Sequence, residues 1–180
     1  MIRNVKMLMV GLVVLAIIFA LFSLLIPSTV KVTRVVEVYA PKEKVYEAIS
    51  NVNKWKQWMP WSAADSLFTV RVDSTPNKIN SSYAWNVKSN LSKKGKITIK
   101  KLTADEVATE NELTGYNLSP GSLKLYTNPK AQFVLVEWRM NVHIKWYPWA
   151  KLKGIVLDKI YGPVLEDGLE RLKTYCENKQ

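Results

Sequence analysis

The chain has 180 residues, 48% of them hydrophobic, and a net charge of +11. With its apolar N-terminal stretch set aside, roughly 150 residues remain, the usual size of one domain around one core. One cysteine, Cys176, and one histidine, His143, exclude an internal disulfide and a clustered Cys/His metal site, and no metal or cofactor is expected. The excess charge is mostly lysine scattered along the chain. Its densest pairs, Lys93-Lys94 and Lys100-Lys101, are too little for a nucleic-acid recognition stripe, so no nucleic-acid partner is expected. A basic exterior suits anionic lipid headgroups instead.

Met7 to Ile26 is an uncharged run of twenty residues, about the length a helix needs to cross hydrocarbon. A cleaved signal peptide is the rival, with Arg3 and Lys6 as its basic start. Its apolar stretch would ordinarily be shorter and would end in a small-x-small site rather than Leu24-Leu25-Ile26-Pro27. The reading is a single-pass N-terminal anchor over residues 1–27 and a soluble domain over 28–180. Basic residues flank both ends, so charge does not set the orientation. A short N-terminal tail ordinarily stays inside, which places the domain outside the cytoplasm. Pro27-Ser28-Thr29 spans only about 10 Å, which holds that domain directly on the bilayer.

After the anchor, Val30 to Tyr39 reads as a strand and Ala40-Pro41 stops it. Lys42 to Ser50 has helical spacing, with Pro41 well placed at a helix start. Trp55, Trp58 and Trp61 recur every third residue, one side of a helical turn that Pro60 ends. Strands follow at Leu67 to Val72, Ser81 to Lys88, Lys94 to Leu102, Glu106 to Leu113, Ser122 to Thr127 and Ala131 to Ile144. Turn-formers including Pro76-Asn77, Asn90, Gly115, Pro120-Gly121 and Asn128-Pro129 separate them. In the last strand Val134, Val136, Trp138, Met140, Val142 and Ile144 share one face, and Glu137, Arg139, Asn141 and His143 the other. From Lys151 to Glu177 the period is helical. Gly162-Pro163 should kink or interrupt that helix, and Gly168 leaves room beneath it for a sheet residue or a ligand.

Residues 32–61, with their strand, Ala40-Pro41, Lys44-Val45-Tyr46 and tryptophan-rich segment, resemble the opening of the SRPBCC group of the START-like superfamily, the polyketide cyclase/dehydrase-like proteins. Ser82 to Trp85, Gly95 to Ile99, Val136 to Met140 and Tyr161 to Lys173 are similar to its later strands and closing helix, and the N-terminal segment to a membrane-anchored bacterial branch. The resemblance covers residues 30–176. It implies an α+β helix-grip fold, a curved antiparallel sheet wrapped around a long C-terminal helix with a cavity between them, here preceded by one transmembrane helix. Such a cavity would hold a hydrophobic small molecule or lipid. Trp85, Trp138 and Met140 on the sheet, and Leu157, Tyr161, Leu165 and Gly168 on the helix, are its candidate lining, with a filled core as the alternative for each.

Chemistry has fewer candidates. His143 falls on the polar face of its strand, and Glu166, Asp167 and Glu170 flank the apolar stripe of the closing helix, so all four read as solvated. Trp55, Trp58 and Trp61 suit a membrane interface, a cavity mouth or packing beneath the sheet edge. Trp146 and Trp149 are assigned to the bilayer surface or the cavity mouth. The leading function is non-catalytic binding of a hydrophobic ligand at a membrane. A cyclase or hydrolase using a cavity carboxylate, and an interaction domain with a filled core, remain open beside it.

Overall fold

The computed structural model describes residues 2–62, 66–75, 77–128 and 130–178; the turn signals Pro76 and Pro129 lie outside them. Helix α1 (Ile2–Leu24) contains an apolar segment, Asn4–Leu24, long and apolar enough to cross a membrane. Strand β1 (Thr29–Val38) follows, then α2 (Lys42–Ser50) and α3 (Val52–Trp58). Six strands come next: β2 (Phe68–Asp73), β3 (Ser82–Val87), β4 (Asn90–Leu102), β5 (Glu106–Leu113), β6 (Ser119–Thr127) and β7 (Val134–His143). Helices α4 (Pro148–Gly154) and α5 (Leu157–Glu177) end the described fold.

All strand pairs are antiparallel, in the order β1-β7-β6-β5-β4-β3-β2. The chain thus meanders from β2 to β7, and β1 closes the far edge beside β7. Alternation is strict in β7, where every second residue from Val134 to Val142 is buried. That inner face receives α5, whose buried stripe is Leu157, Leu165, Leu169, Leu172 and Cys176. The buried hydrophobic residues of the core all fall between Val32 and Cys176, so α1 contributes none.

Three departures from the sequence reading have local causes. β6 begins at Ser119, running through Pro120-Gly121. The β6–β7 pairing starts only at Gly121 opposite Met140, so Pro120, at the strand's beginning, costs that ladder no donor. β4 likewise starts at Asn90, directly after a tight turn. The closing helix is interrupted at Ile155–Val156 rather than at Gly162-Pro163, and α5 continues through Pro163. Pro163 is exposed, so the backbone carbonyl it leaves unpaired lies on the solvent side.

Gly162 has a different role. A Cβ there would collide with the guanidinium of Arg34, which sits between β1 and α5. Arg34 donates to both carboxylate oxygens of Asp158 at 3.0 and 3.1 Å, and through Nε to Glu166 at 2.5 Å. These carboxylates lie one turn before and one turn after Gly162, so a single arginine clasps α5 to β1. Arg34 holds Asp158 below the ordinary carboxylate range, first through their hydrogen bonds.

Candidate functional site

Aromatic rings occupy much of the space between sheet and α5. Trp55 and Trp58 are fully buried, and each indole N–H reaches a carbonyl in the last turn of α2: Trp55 Nε1 donates to Ile49 O at 2.8 Å and Trp58 Nε1 to Ala48 O at 3.1 Å. The final carbonyls of a helix have no partner within it, so these side chains act as caps. Pro60 ends the helical segment and turns Trp61 away from the face that Trp55 and Trp58 share. The Tyr83 hydroxyl then fixes that turn by donating to the Trp61 carbonyl at 2.7 Å. All three tryptophans are therefore interior residues and not membrane-facing ones.

Trp61 stacks on Trp85 with ring centroids 4.0 Å apart and planes 7° from parallel. Trp85 in turn lies on Gly95, its β4 partner, where any Cβ would overlap the indole. Trp138 meets Trp58 and Trp61 edge-on, at 5.8 and 6.3 Å. A Cβ on Gly168 would come within 2.7 Å of the Trp138 ring and 2.8 Å of Pro60, so the missing side chain makes room for a sheet residue.

Beyond the Trp61–Trp85 pair the filling stops, and an open cleft of about 490 Å³ remains. Trp61, Phe68, Trp85 and Leu113 supply its apolar walls, and Tyr116 and Tyr161 form an edge-to-face pair at 6.5 Å along one side. Lys93 and Lys94 rim it from the exposed start of β4. Thr114 secures this rim, accepting from the Lys94 N–H and donating to the Ser92 carbonyl, both at 2.9 Å. Burial pushes the Tyr161 phenol up to about 12 and raises Tyr116 as well, so both are hydrogen-bond donors at neutral pH rather than bases. No carboxylate, imidazole or thiol is among the described residues lining the cleft. The arrangement offers an apolar slot, two phenolic donors and two ammonium groups, which fits an amphipathic molecule with an anionic or strongly polar end.

Of the residues expected to line a cavity, Trp85 and Tyr161 do so. Trp138, Met140, Leu157 and Leu165 are buried in the core, outside the cleft wall, and Gly168 lies under Trp138. Trp146 and Trp149 are exposed and apart from the cleft lining. His143 lies half-buried on the outer face of β7, while Glu166 pairs with Arg34 and Asp167 with Arg171. Sequence reasoning missed Phe68, Leu113, Tyr116 and the Lys93-Lys94 rim. The lysine pair was visible in the sequence, but only as a weak nucleic-acid signal. Asn111 was also missed: it is buried on the inner face of β5, two residues before Leu113, and its Nδ2 has no hydrogen-bond partner among the described residues. No group of three metal-ligating side chains occurs among the described residues.

Comparison with solved structures places this architecture among similar folds. The protein CV1439 from Chromobacterium violaceum is 14% identical with a TM-score of 0.58, over 85% of this chain and 99% of that one. Truncated norcoclaurine synthase from Thalictrum flavum is 12% identical with a TM-score of 0.63, over 84% and 96%. The di-domain ARO/CYC protein StfQ of the steffimycin biosynthetic pathway is also 12% identical with a TM-score of 0.63, over 83% of this chain and 51% of that one. At such identities the likeness is one of fold. No curated protein matches the chain in sequence. The family model described as polyketide cyclase/dehydrase and lipid transport matches residues 29–177, the span from the start of β1 to the end of α5. The chain therefore belongs to the polyketide cyclase/dehydrase and lipid transport family, within the START-like superfamily.

Proposed function

We propose that residues 28–180 form a binding domain, tethered to a membrane by an anchor over residues 1–27, that takes up one amphipathic lipid-like molecule without transforming it. The observation that carries this reading is the lining of the cleft: apolar walls, two protonated phenols and a lysine rim, with no carboxylate or imidazole among the described lining residues to move a proton. The apolar body of the ligand would lie against Trp61, Trp85, Phe68 and Leu113, with its anionic end at Lys93 and Lys94. The family's association with lipid transport and the apolar length of α1 support the same reading.

The test is mass spectrometry of organic-soluble material retained by residues 28–180 purified from a native membrane-containing host, beside a Leu113→Arg variant. One enriched anionic lipid class, lost in the variant, is the expected result. The same lipid profile in both proteins would overturn the assignment of the cleft.

A further inference from the structure

The connection from β7 to α5 carries an exposed apolar ridge. Trp146 is 81% exposed, Trp149 64% and Ile155 64%, and Leu152, Val156 and Ile160 are exposed beside them. The local fold makes this outward display systematic. α4 buries Ala150, Lys151 and Gly154, and a Cβ on Gly154 would collide with Ile144, so that side of the helix is pressed against the sheet edge. Trp149 and Leu152 are left on the opposite side. The interruption at Ile155–Val156 turns two more aliphatic side chains outward before α5 begins.

Two further observations identify what covers this ridge. Lys151 is buried, and its Nζ donates at 2.7 Å to the carbonyl of Ile26, just past the end of α1. A cation there is favourably placed against the unsatisfied carbonyls of a helix C-terminus. The bond also pins α4 beside the point where the apolar α1 ends. Around the ridge stand Lys145, Lys153 and Lys159, all exposed and none in an ion pair among the described residues, while the nearby Asp158 is engaged by Arg34. Aromatic and aliphatic side chains ringed by free lysines match the interface of a bilayer bearing anionic headgroups.

We infer that α4 and the first turn of α5 form an interfacial foot that rests on an anionic membrane surface, with Trp146 and Trp149 inserted at headgroup depth. This inference rests on the proposal that α1 spans the bilayer. It adds an orientation: Tyr161, at the side of the cleft, directly follows Ile160 of the foot, and its partner Tyr116 lies two residues from the exposed Leu118. The tyrosine side of the cleft is thereby brought to the lipid surface, from which a ligand can enter without crossing water.

The test uses the full chain in phosphatidylcholine vesicles, with and without phosphatidylglycerol, containing lipids brominated either high or low on the acyl chain. Of the seven tryptophans, Trp55, Trp58 and Trp138 are sealed in the core, and Trp61 and Trp85 in the cleft wall report lipid held there in every variant alike, so the foot is read from the quenching that Trp146 and Trp149 add. That added quenching is expected from the high bromines, stronger with phosphatidylglycerol, and lost in a Trp146→Phe/Trp149→Phe variant that stays in the vesicles after an alkaline wash. Equal quenching of the double variant, or no quenching of the wild type together with full access to aqueous iodide, would overturn the foot while leaving the span standing. Quenching unchanged by phosphatidylglycerol would overturn its anionic preference. Release of the wild-type chain by the alkaline wash would instead overturn the span and, with it, this assignment.

Discussion

The two ends of the space between sheet and α5 are built from the same residue types and behave differently. At the α3 end, Trp55, Trp58 and Trp138 meet edge-on and are closed over by α5 at Gly168, leaving no room. At the β4–β5 end, Trp61 and Trp85 stack flat beside an open cleft, and Tyr161 is the α5 residue among its described lining. Aromatic content therefore does not decide where this fold leaves a cleft; where the glycines allow a ring to lie does.

The largest expected effect follows from the closed end. Trp138→Ala should destabilise residues 28–180 by about 3–5 kcal/mol in urea denaturation, because the ring fills a space bounded by other rings. Phe68→Ala, at the half-exposed cleft wall, should cost only about 1 kcal/mol. Equal costs would erase the distinction between the two ends. Gly168→Ala comes next, at about 1–3 kcal/mol destabilising, since neither the Trp138 ring nor Pro60 can yield and overpacking outweighs the roughly 1 kcal/mol that alanine gains in a helix.

Asn111→Leu should raise stability by about 1 kcal/mol, since a buried Nδ2 with no partner among the described residues gives way to an apolar side chain of similar size. A loss instead of a gain would mean that the amide has a partner in solution. The tyrosines give a subtler signature. Tyr83 and Tyr161 are both pushed up to about 12 by burial, from an ordinary 10. The folded state keeps these protons longer than the unfolded chain, so their stabilising contribution is intact below pH 10 and is lost as pH rises toward 12. Phenolate absorbance followed against circular dichroism should show two tyrosines ionising together with unfolding.

The smallest effect is electrostatic. The Arg34 clasp lowers the Asp158 carboxyl, so its contribution is present above the ordinary carboxylate range and fades as pH falls below it. An Arg34→Met variant should therefore differ from wild type at neutral pH in thermal melts and converge with it in acid.

Much of this fold is legible in the sequence because it depends on period. The alternation of β7, the 3.6-residue stripe of α5 and the Pro41 start of α2 are local patterns, and their positions hold within a few residues. The cleft is not local. It exists because Trp61 stacks on Trp85, which lies on Gly95, and these residues come from three separate segments. The spacing of Trp55, Trp58 and Trp61 even points the wrong way, since it suggests one helical face where Pro60 breaks the third residue off. The interruption at Ile155–Val156 is hidden for a similar reason: Gly154 ends α4 against Ile144, a contact no periodicity records.

Cys176 lies within the buried stripe of α5, and burial pushes its thiol up to about 11. Near neutral pH it is almost wholly the unreactive thiol and is shielded from reagents. The native protein is thus already silent toward maleimides and other thiol-directed labels. A cysteine placed at Leu152 or Lys93 would be the one reactive position on an otherwise unaltered chain, which makes the molecule a ready host for spin or fluorescent labels reporting on foot and cleft separately.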